Sequence, residues 1–195
     1  QHHCRTLCKD GSGPTGDCVM FKQWFEHLTD CTVVKVGKYF VYPIHRVGHT
    51  SLMSVAEKKY VNKEIAKLSR IDVLWREPKA RFVSGVNEYS KHRKIKVAET
   101  YDQIKNNALV DSHFMPQYLW LLNLCRFYKG EVTIRPFQFI ANITDAHERN
   151  DTPDKVYVEP PEQFVKVDSE IIKNTTVRRT YLLEDIIKDY RHVLS

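Results

Sequence analysis

The feature that most constrains this chain is the junction around Gly48. Gly37 to Ile44 reads Gly-Lys-Tyr-Phe-Val-Tyr-Pro-Ile, a short run rich in aromatic and β-branched residues that predicts a buried strand. The loop His45-Arg46-Val47-Gly48-His49-Thr50-Ser51 follows it. From Ser51 to Leu68 the apolar residues Leu52, Val55, Ala56, Ile65 and Leu68 recur among charges, which predicts an amphipathic helix opened by Thr50 and Ser51. Ile71–Trp75 reads as a second short strand, and Pro78 starts a second helix with Phe82, Val83 and Val86 as its apolar stripe. Strand, loop, helix, strand, helix implies a right-handed crossover and a parallel sheet, hence an α/β fold.

The rest of the chain fits one domain. Tyr101 to Leu109 reads as helical, Met115 to Leu124 is apolar enough to be buried, and Glu131 to Ile143 alternates like one or two strands. Residues 145–166, with Pro153, Pro160 and Pro161, read as loop, and Tyr181 to Leu194 places Leu182, Leu183, Ile186, Ile187, Tyr190 and Leu194 on a docking helix. At 195 residues the chain can bury one sizeable core. We divide it into a cysteine-bearing arm, residues 1–35, and a domain spanning residues 36–195.

In the arm, Cys4, Cys8, Cys18 and Cys31 crowd together near His2 and His3, and Cys125 stands apart. Their spacing lacks the paired CxxC knuckles of a zinc site, so reduced or partly disulfide-bonded cysteines rank above zinc, and no metal is assigned. Thirty Lys+Arg against 24 Asp+Glu give a formal charge of +6, which favours polyanionic partners without choosing among them and equally describes a solvated basic surface. No apolar run is long enough to span a bilayer.

A glycine where a strand gives way to a helix permits close backbone approach, and N–H groups there with hydroxyls at Thr50 and Ser51 and the charge of Arg46 suit a phosphate or phosphosulfate. The loop is not that of a nucleoside triphosphatase. That motif needs an earlier glycine, where Pro43 stands here, and a Lys where His49 follows Gly48. An ordinary strand-to-helix turn would look similar. The second element, Arg76-Glu77-Pro78-Lys79-Ala80-Arg81-Phe82-Val83-Ser84, again runs from a strand end into a helix and offers Arg76 and Ser84 to one anion. Arg76 could instead pair with Glu77.

Together these blocks resemble the PAPS-dependent sulfotransferases, in particular the carbohydrate (Golgi-type) branch. The family's 5′-phosphosulfate loop, Pro-Lys-x-Gly-x-Thr-Ser/Thr, is matched by His45 through Ser51. Its 3′-phosphate element, Arg-(Asp/Glu)-Pro-x-x-Arg-(Phe/Leu)-x-Ser, is matched by Arg76 through Ser84 at the same spacing. A third block, Asp-x-His-(Trp/Phe)-x-Pro-Gln, is matched by Asp111-Ser112-His113-Phe114-Met115-Pro116-Gln117. The match covers residues 40–120 in the family's order; Phe137 to Ile143 weakly resembles the strand that follows, and the first 35 residues have no counterpart. His45-Arg46 replaces the family's Pro-Lys, and His49 stands where a small residue or Cys is usual.

The resemblance implies a P-loop-like three-layer fold with a central parallel sheet flanked by helices. It implies in-line sulfuryl transfer from PAPS, without a required metal, to a hydroxyl or amine of a carbohydrate or other hydroxyl-bearing acceptor. Arg46, Val47, Gly48, His49, Thr50, Ser51, Arg76 and Ser84 are then the donor-binding residues. His113 is the expected base, because imidazole titrates in the useful range and the block places it near the donor, with His45 and His49 as competitors because they sit in the loop itself. Arg46 is then expected to stabilise the leaving group, Asp111 to orient His113 or equally to cap a helix, and His45 and Gln117 to meet the acceptor. Arg135 is a weaker candidate for acceptor or nucleotide contacts, the pair Arg178-Arg179 reads as a solvated basic pair ahead of a contact to the 3′-phosphate, and nucleic acid is not an expected partner. A sulfotransferase-like protein with weak or no turnover that holds a glycan or other polyanion is the competing expectation, favoured by the departures at His45, Arg46 and His49. Asn142, Asn150 and Asn174 open glycosylation-type sequons, yet the compact length tips the expected location towards a bacterial or viral cytoplasm over the Golgi lumen.

Overall fold

The computed structural model describes residues 26–106, 108–144 and 155–190. The expectation about Cys4, Cys8 and Cys18 therefore falls outside the described residues. In chain order the elements are β1 (Thr32–Val36), β2 (Tyr39–Tyr42), α1 (His49–Val55), β3 (Lys58–Val61), a 3-10 segment (Asn62–Lys67), β4 (Arg70–Trp75), α2 (Pro78–Arg93), α3 (Val97–Lys105), α4 (Gln117–Cys125), β5 (Glu131–Pro136), a 3-10 turn (Phe137–Phe139), α5 (Ile140–Thr144), α6 (Glu162–Asn174), β6 (Thr180–Leu182) and α7 (Leu183–Tyr190).

The six strands form one mixed sheet in the order β3-β1-β2-β4-β5-β6. The class is α/β as expected, but parallel pairing is confined to the centre, where β2 pairs with β4 and β4 with β5. The flanking pairs are antiparallel. Connection length decides this. Only Gly37 and Lys38 join β1 to β2, and Gly37 takes a φ of 59° that suits such a tight turn. The two parallel pairings are bridged by long helical crossovers, as they must be. Because β1 is an interior strand, residues 32–35 belong to the sheet, and the boundary drawn at residue 35 cuts through it. Among the described residues Cys31, just before β1, is a buried free thiol, and burial pushes its pKa up to about 12.

Three element assignments are corrected. The helix expected over 51–68 ends at Val55, and Lys58–Val61 pairs with β1 as an edge strand. Leu52 and Ile65 are both fully buried, but from different elements, so their spacing mimics one helix face. Lys58 and Lys59, both exposed on this edge strand, also discourage pairing with another chain. Strand β5 stops at Pro136, which has no N–H for the ladder, and the chain continues as a 3-10 turn and α5 instead of a second strand. The polar stretch read as loop gives way to α6 from Glu162, directly after Pro160-Pro161.

Helix α4 is buried along its whole length. Tyr42 Oη donates to the Trp120 carbonyl at 2.8 Å, tying β2 to this helix. Helices α6 and α7 pack on α4 in turn. Burying so apolar a helix among neighbours contributes on the order of 1.5–3 kcal/mol for each large side chain, and it fixes the segment just before it, residues 111–116. Since β2, β4 and β5 run in the same direction, the loops leaving Tyr42, Trp75 and Pro136 emerge at one end of the sheet. Such an end is where open α/β sheets carry their ligands.

Candidate functional site

The loop after β2 holds two left-handed residues, Arg46 at φ 63° and Gly48 at φ 73°. A Cβ on Gly48 would lie 1.9 Å from Ile140 Cδ1, so the glycine admits α5 against the loop. Val47 is buried as the loop's anchor, Thr50 is exposed, and His49 and Ser51 are half-buried. Neither hydroxyl caps α1; Gly48 occupies the N-cap position.

The second element meets this loop directly. Arg46 Nε donates to Ser84 Oγ at 2.7 Å, and Arg76 Nη1 donates to the Arg46 carbonyl at 2.8 Å. The Arg76 guanidinium also lies 4.9 Å over the Phe137 ring. Glu77 serves the helix that follows it. Its carboxylate caps α2, accepting from the N–H groups of Lys79 at 3.0 Å and Ala80 at 2.7 Å. Gln117 is fully buried, accepting from Arg76 N and donating to Arg76 O, both at 3.0 Å. Its amide clamps the loop after β4.

The third block closes on both. Gly85 makes this possible: a Cβ there would lie 2.1 Å from the His113 carbonyl oxygen, so residues 113–114 pack directly on the backbone of α2. Arg81, wholly buried, binds three carbonyls at once, those of His45 at 3.1 Å, Ser112 at 3.1 Å and Met115. Burial pulls its pKa down to about 10, which leaves it charged at neutral pH.

Three imidazoles gather beside these cations. His45 stacks on His113 with centroids 4.6 Å apart, and His49 meets His45 edge-on at 4.4 Å. Trp120 lies behind His45 at 4.9 Å. His45 Nδ1 shares a hydrogen bond of 2.7 Å with Ser112 Oγ. Burial, then the neighbouring His49, His113 and Arg81, lower the pKa of His45 to about 3, so it is neutral at pH 7. Burial followed by His113 and Lys59 lowers that of His49 as well. Asp111 Oδ1 accepts from His113 N at 2.9 Å and is 2.6 Å from His113 Nδ1. Burial works against ionisation of Asp111, but these bonds and the charge of His113 outweigh it and hold its pKa below the ordinary value.

The sequence-predicted residues His45, Arg46, Val47, Gly48, His49, Arg76, Ser84 and His113 thus meet at one sheet end, while Thr50 and Ser51 lie along α1. Arg135 is engaged elsewhere, with Nε 2.7 Å from Asp72 Oδ1 and its guanidinium 4.6 Å over Phe139. The side chains of Arg178 and Arg179 are exposed. Sequence reasoning gave no role to Arg81, Glu88, Ser112 or Asp168. Asp168, on α6, accepts from the N–H groups of Gln117 at 2.7 Å and Tyr118 at 3.0 Å, which fixes the start of α4. It lies in a helix whose apolar period begins too close to Pro160-Pro161 to stand out. Burial raises its pKa to about 6 despite those bonds and the charge of Arg81.

Among the described residues no group of three or more His, Cys, Asp or Glu is arranged to hold a metal ion. No described helix is long and apolar enough to cross a membrane. Compared with protein families, with curated proteins and with solved structures, the chain matches none. Chemically, the arrangement offers fixed guanidinium charge and a serine hydroxyl for an anion, next to a carboxylate-oriented imidazole able to take a proton.

Proposed function

We propose that this chain is a PAPS-dependent sulfotransferase that modifies a hydroxyl (or amine) of an acceptor, most naturally a carbohydrate. The observation that carries the reading is the convergence of three separate sequence blocks: Arg46 Nε bonds Ser84 Oγ at 2.7 Å, Arg76 holds the Arg46 carbonyl, and Arg81 binds His45, Ser112 and Met115 together. The parallel centre β2-β4-β5, with the glycine loop after its first strand, also supports a P-loop-like arrangement.

The donor set fits a doubly anionic nucleotide. Residues Arg46 to Ser51 would hold the 5′ end, and Arg76 with Ser84 the 3′-phosphate. PAPS, when bound, supplies an activated sulfuryl group and yields adenosine 3′,5′-bisphosphate. The protein's own part is proton management and charge. With Nδ1 of His113 donating to Asp111, Nε2 is left to accept the proton of an acceptor hydroxyl. Arg46 and Arg76 supply positive charge in a planar fork that suits phosphate oxygens. His45 and His49, kept neutral, add no like charge against the protonated base.

Two measurements test this. Titration calorimetry with adenosine 3′,5′-bisphosphate is expected to give saturable one-site binding, which Arg76→Ala weakens; absence of binding would sink the proposal. In an assay with labelled PAPS and a panel of glycans, His113→Ala is expected to lose turnover while keeping donor affinity. A second reading, a polyanion-binding protein with little turnover, draws on the position of Arg46, whose guanidinium faces Ser84 and Glu88. Donor binding without transfer to any acceptor would favour it.

A further inference from the structure

The cation and the hydroxyl expected to grip the donor already grip each other, and a carboxylate sits beside them. Ser84, Glu88 and His92 are spaced four residues apart and so follow one face of α2. Arg46 Nε donates to Ser84 Oγ at 2.7 Å, and Arg46 Nη1 lies 3.8 Å from Glu88 Oε2. The other carboxylate oxygen of Glu88 accepts from His92 Nε2 at 2.8 Å, so His92 orients the group. Ser84 is buried, whereas the side chains of Arg46 and Glu88 are 22% and 29% exposed, so this ion pair is only partly screened. Arg46 is, besides, held in the left-handed region at φ 63°, a conformation a non-glycine residue keeps only when its surroundings fix it.

We propose that Glu88 is a specificity-determining residue that acts through Arg46, taking the place of a ligand's anion and weakening the hold on a 3′-phosphate. The proposal rests on the reading of Arg76–Ser84 as a 3′-phosphate element. A dianion at Ser84 must draw Arg46 away from Glu88, and it then faces that carboxylate one helical turn along α2. Of these two effects only the repulsion is confined to the 3′ side. A nucleotide bearing only a 5′-phosphate avoids the repulsion at Ser84 and meets only the competition for Arg46. Glu88 thus sets how strongly the site prefers a 3′-phosphorylated nucleotide over one without that group.

The test compares adenosine 3′,5′-bisphosphate with adenosine 5′-monophosphate by calorimetry on the full chain and on Glu88→Gln, Glu88→Asp and Ser84→Ala. Glu88→Gln keeps shape and a hydrogen-bonding oxygen while removing the charge. It is expected to tighten bisphosphate binding by about three- to tenfold, the size of one partly screened charge contact, and monophosphate binding by much less. Glu88→Asp, which keeps the charge, is expected to hold the ratio of the two affinities near that of the unmodified chain, a result that a role in helix stability alone would not produce. Ser84→Ala should erase most of the difference between the two nucleotides. Binding of the bisphosphate that appears only in Glu88→Gln would support the proposal. Equal or weaker binding by Glu88→Gln, beside measurable binding by the unmodified chain, overturns the role of Glu88 and leaves the nucleotide site standing. No binding by any of the four proteins overturns both.

Discussion

Arg81 offers the sharpest test of how the site is assembled. It is fully buried, and each of its nitrogens meets a backbone carbonyl: Nε that of His45, Nη1 that of Met115 and Nη2 that of Ser112. Asp168 influences it through space without a hydrogen bond, so most of the compensation for a buried charge comes from carbonyl dipoles. Hydrogen bonds to a charged group contribute about 1.5–3 kcal/mol each when broken singly, while burying the charge costs several kcal/mol. Replacing the side chain by Met removes all three bonds and the buried charge together, and we expect a net loss of about 3 kcal/mol. Arg81→Lys separates geometry from charge. A single ammonium cannot span three carbonyls on three segments, and it is more strongly hydrated than guanidinium, so its burial is less favourable. The Lys variant is therefore expected to be no more stable than the Met variant. Urea unfolding at pH 7, followed by fluorescence and fitted with a common slope, measures both. A Lys variant within about 0.5 kcal/mol of the parent would refute the argument, because charge alone would then be enough.

Three further outcomes follow from the same geometry. Gly85→Ala should destabilise by about 2–3 kcal/mol even though alanine is the better helix former, because its Cβ meets the His113 carbonyl at 2.1 Å; a gain in urea midpoint would contradict the close packing. For His45, the folded pKa of about 3 lies below the unfolded value, so its contribution is complete above pH 6.5 and lost as pH falls, by about 2 kcal/mol between pH 7 and pH 5. His45→Gln should remove that acid loss in unfolding curves taken at the two pH values, and an unchanged pH slope would refute the assignment. Asp168 runs the other way. Its folded pKa, raised to about 6, lets the folded state take up a proton before the unfolded one does, returning about 1 kcal/mol between pH 7 and pH 5. Asp168→Asn should accordingly steepen the acid loss of the parent chain, and a shallower slope would show that the carboxyl does not titrate there.

The sequence was most legible where residues act locally. The strand ending near Tyr42, the loop glycine, the proline-led start of α2 and the apolar stretch of α4 could each be read from types and spacing. What escaped depends on partners distant in the chain. Leu52 and Ile65 read as one helix face because the 3.6-residue period carries no record of β1, which claims Lys58–Val61 as a neighbouring strand. Gln117, at the end of the third block, is assigned to the acceptor by the resemblance; its partners include the backbone of Arg76, 41 residues earlier. Asp168 reaches the start of α4 from 51 residues away. No local pattern announces a carboxylate whose partners are two backbone N–H groups of another helix.

The three arginines of the site differ in how firmly each is held, and that difference assigns their work. Arg81 is enclosed, with every nitrogen on a carbonyl, and any movement would leave buried oxygens unpaired. Arg76 has its backbone fastened on both sides by Gln117, and one of its side-chain nitrogens holds the Arg46 carbonyl, so it can turn towards an anion only through a limited range. Arg46 is restrained by one serine hydroxyl and one half-exposed carboxylate at 3.8 Å, contacts that an incoming phosphate can replace at little loss. On the proposed reading, charge that is fixed organises the loops, and charge that is lightly held answers to the ligand. The family resemblance expects a lysine where Arg46 stands, a compact cation that moves freely. Here the same freedom comes from a guanidinium that is weakly tethered, with Glu88 as the tether.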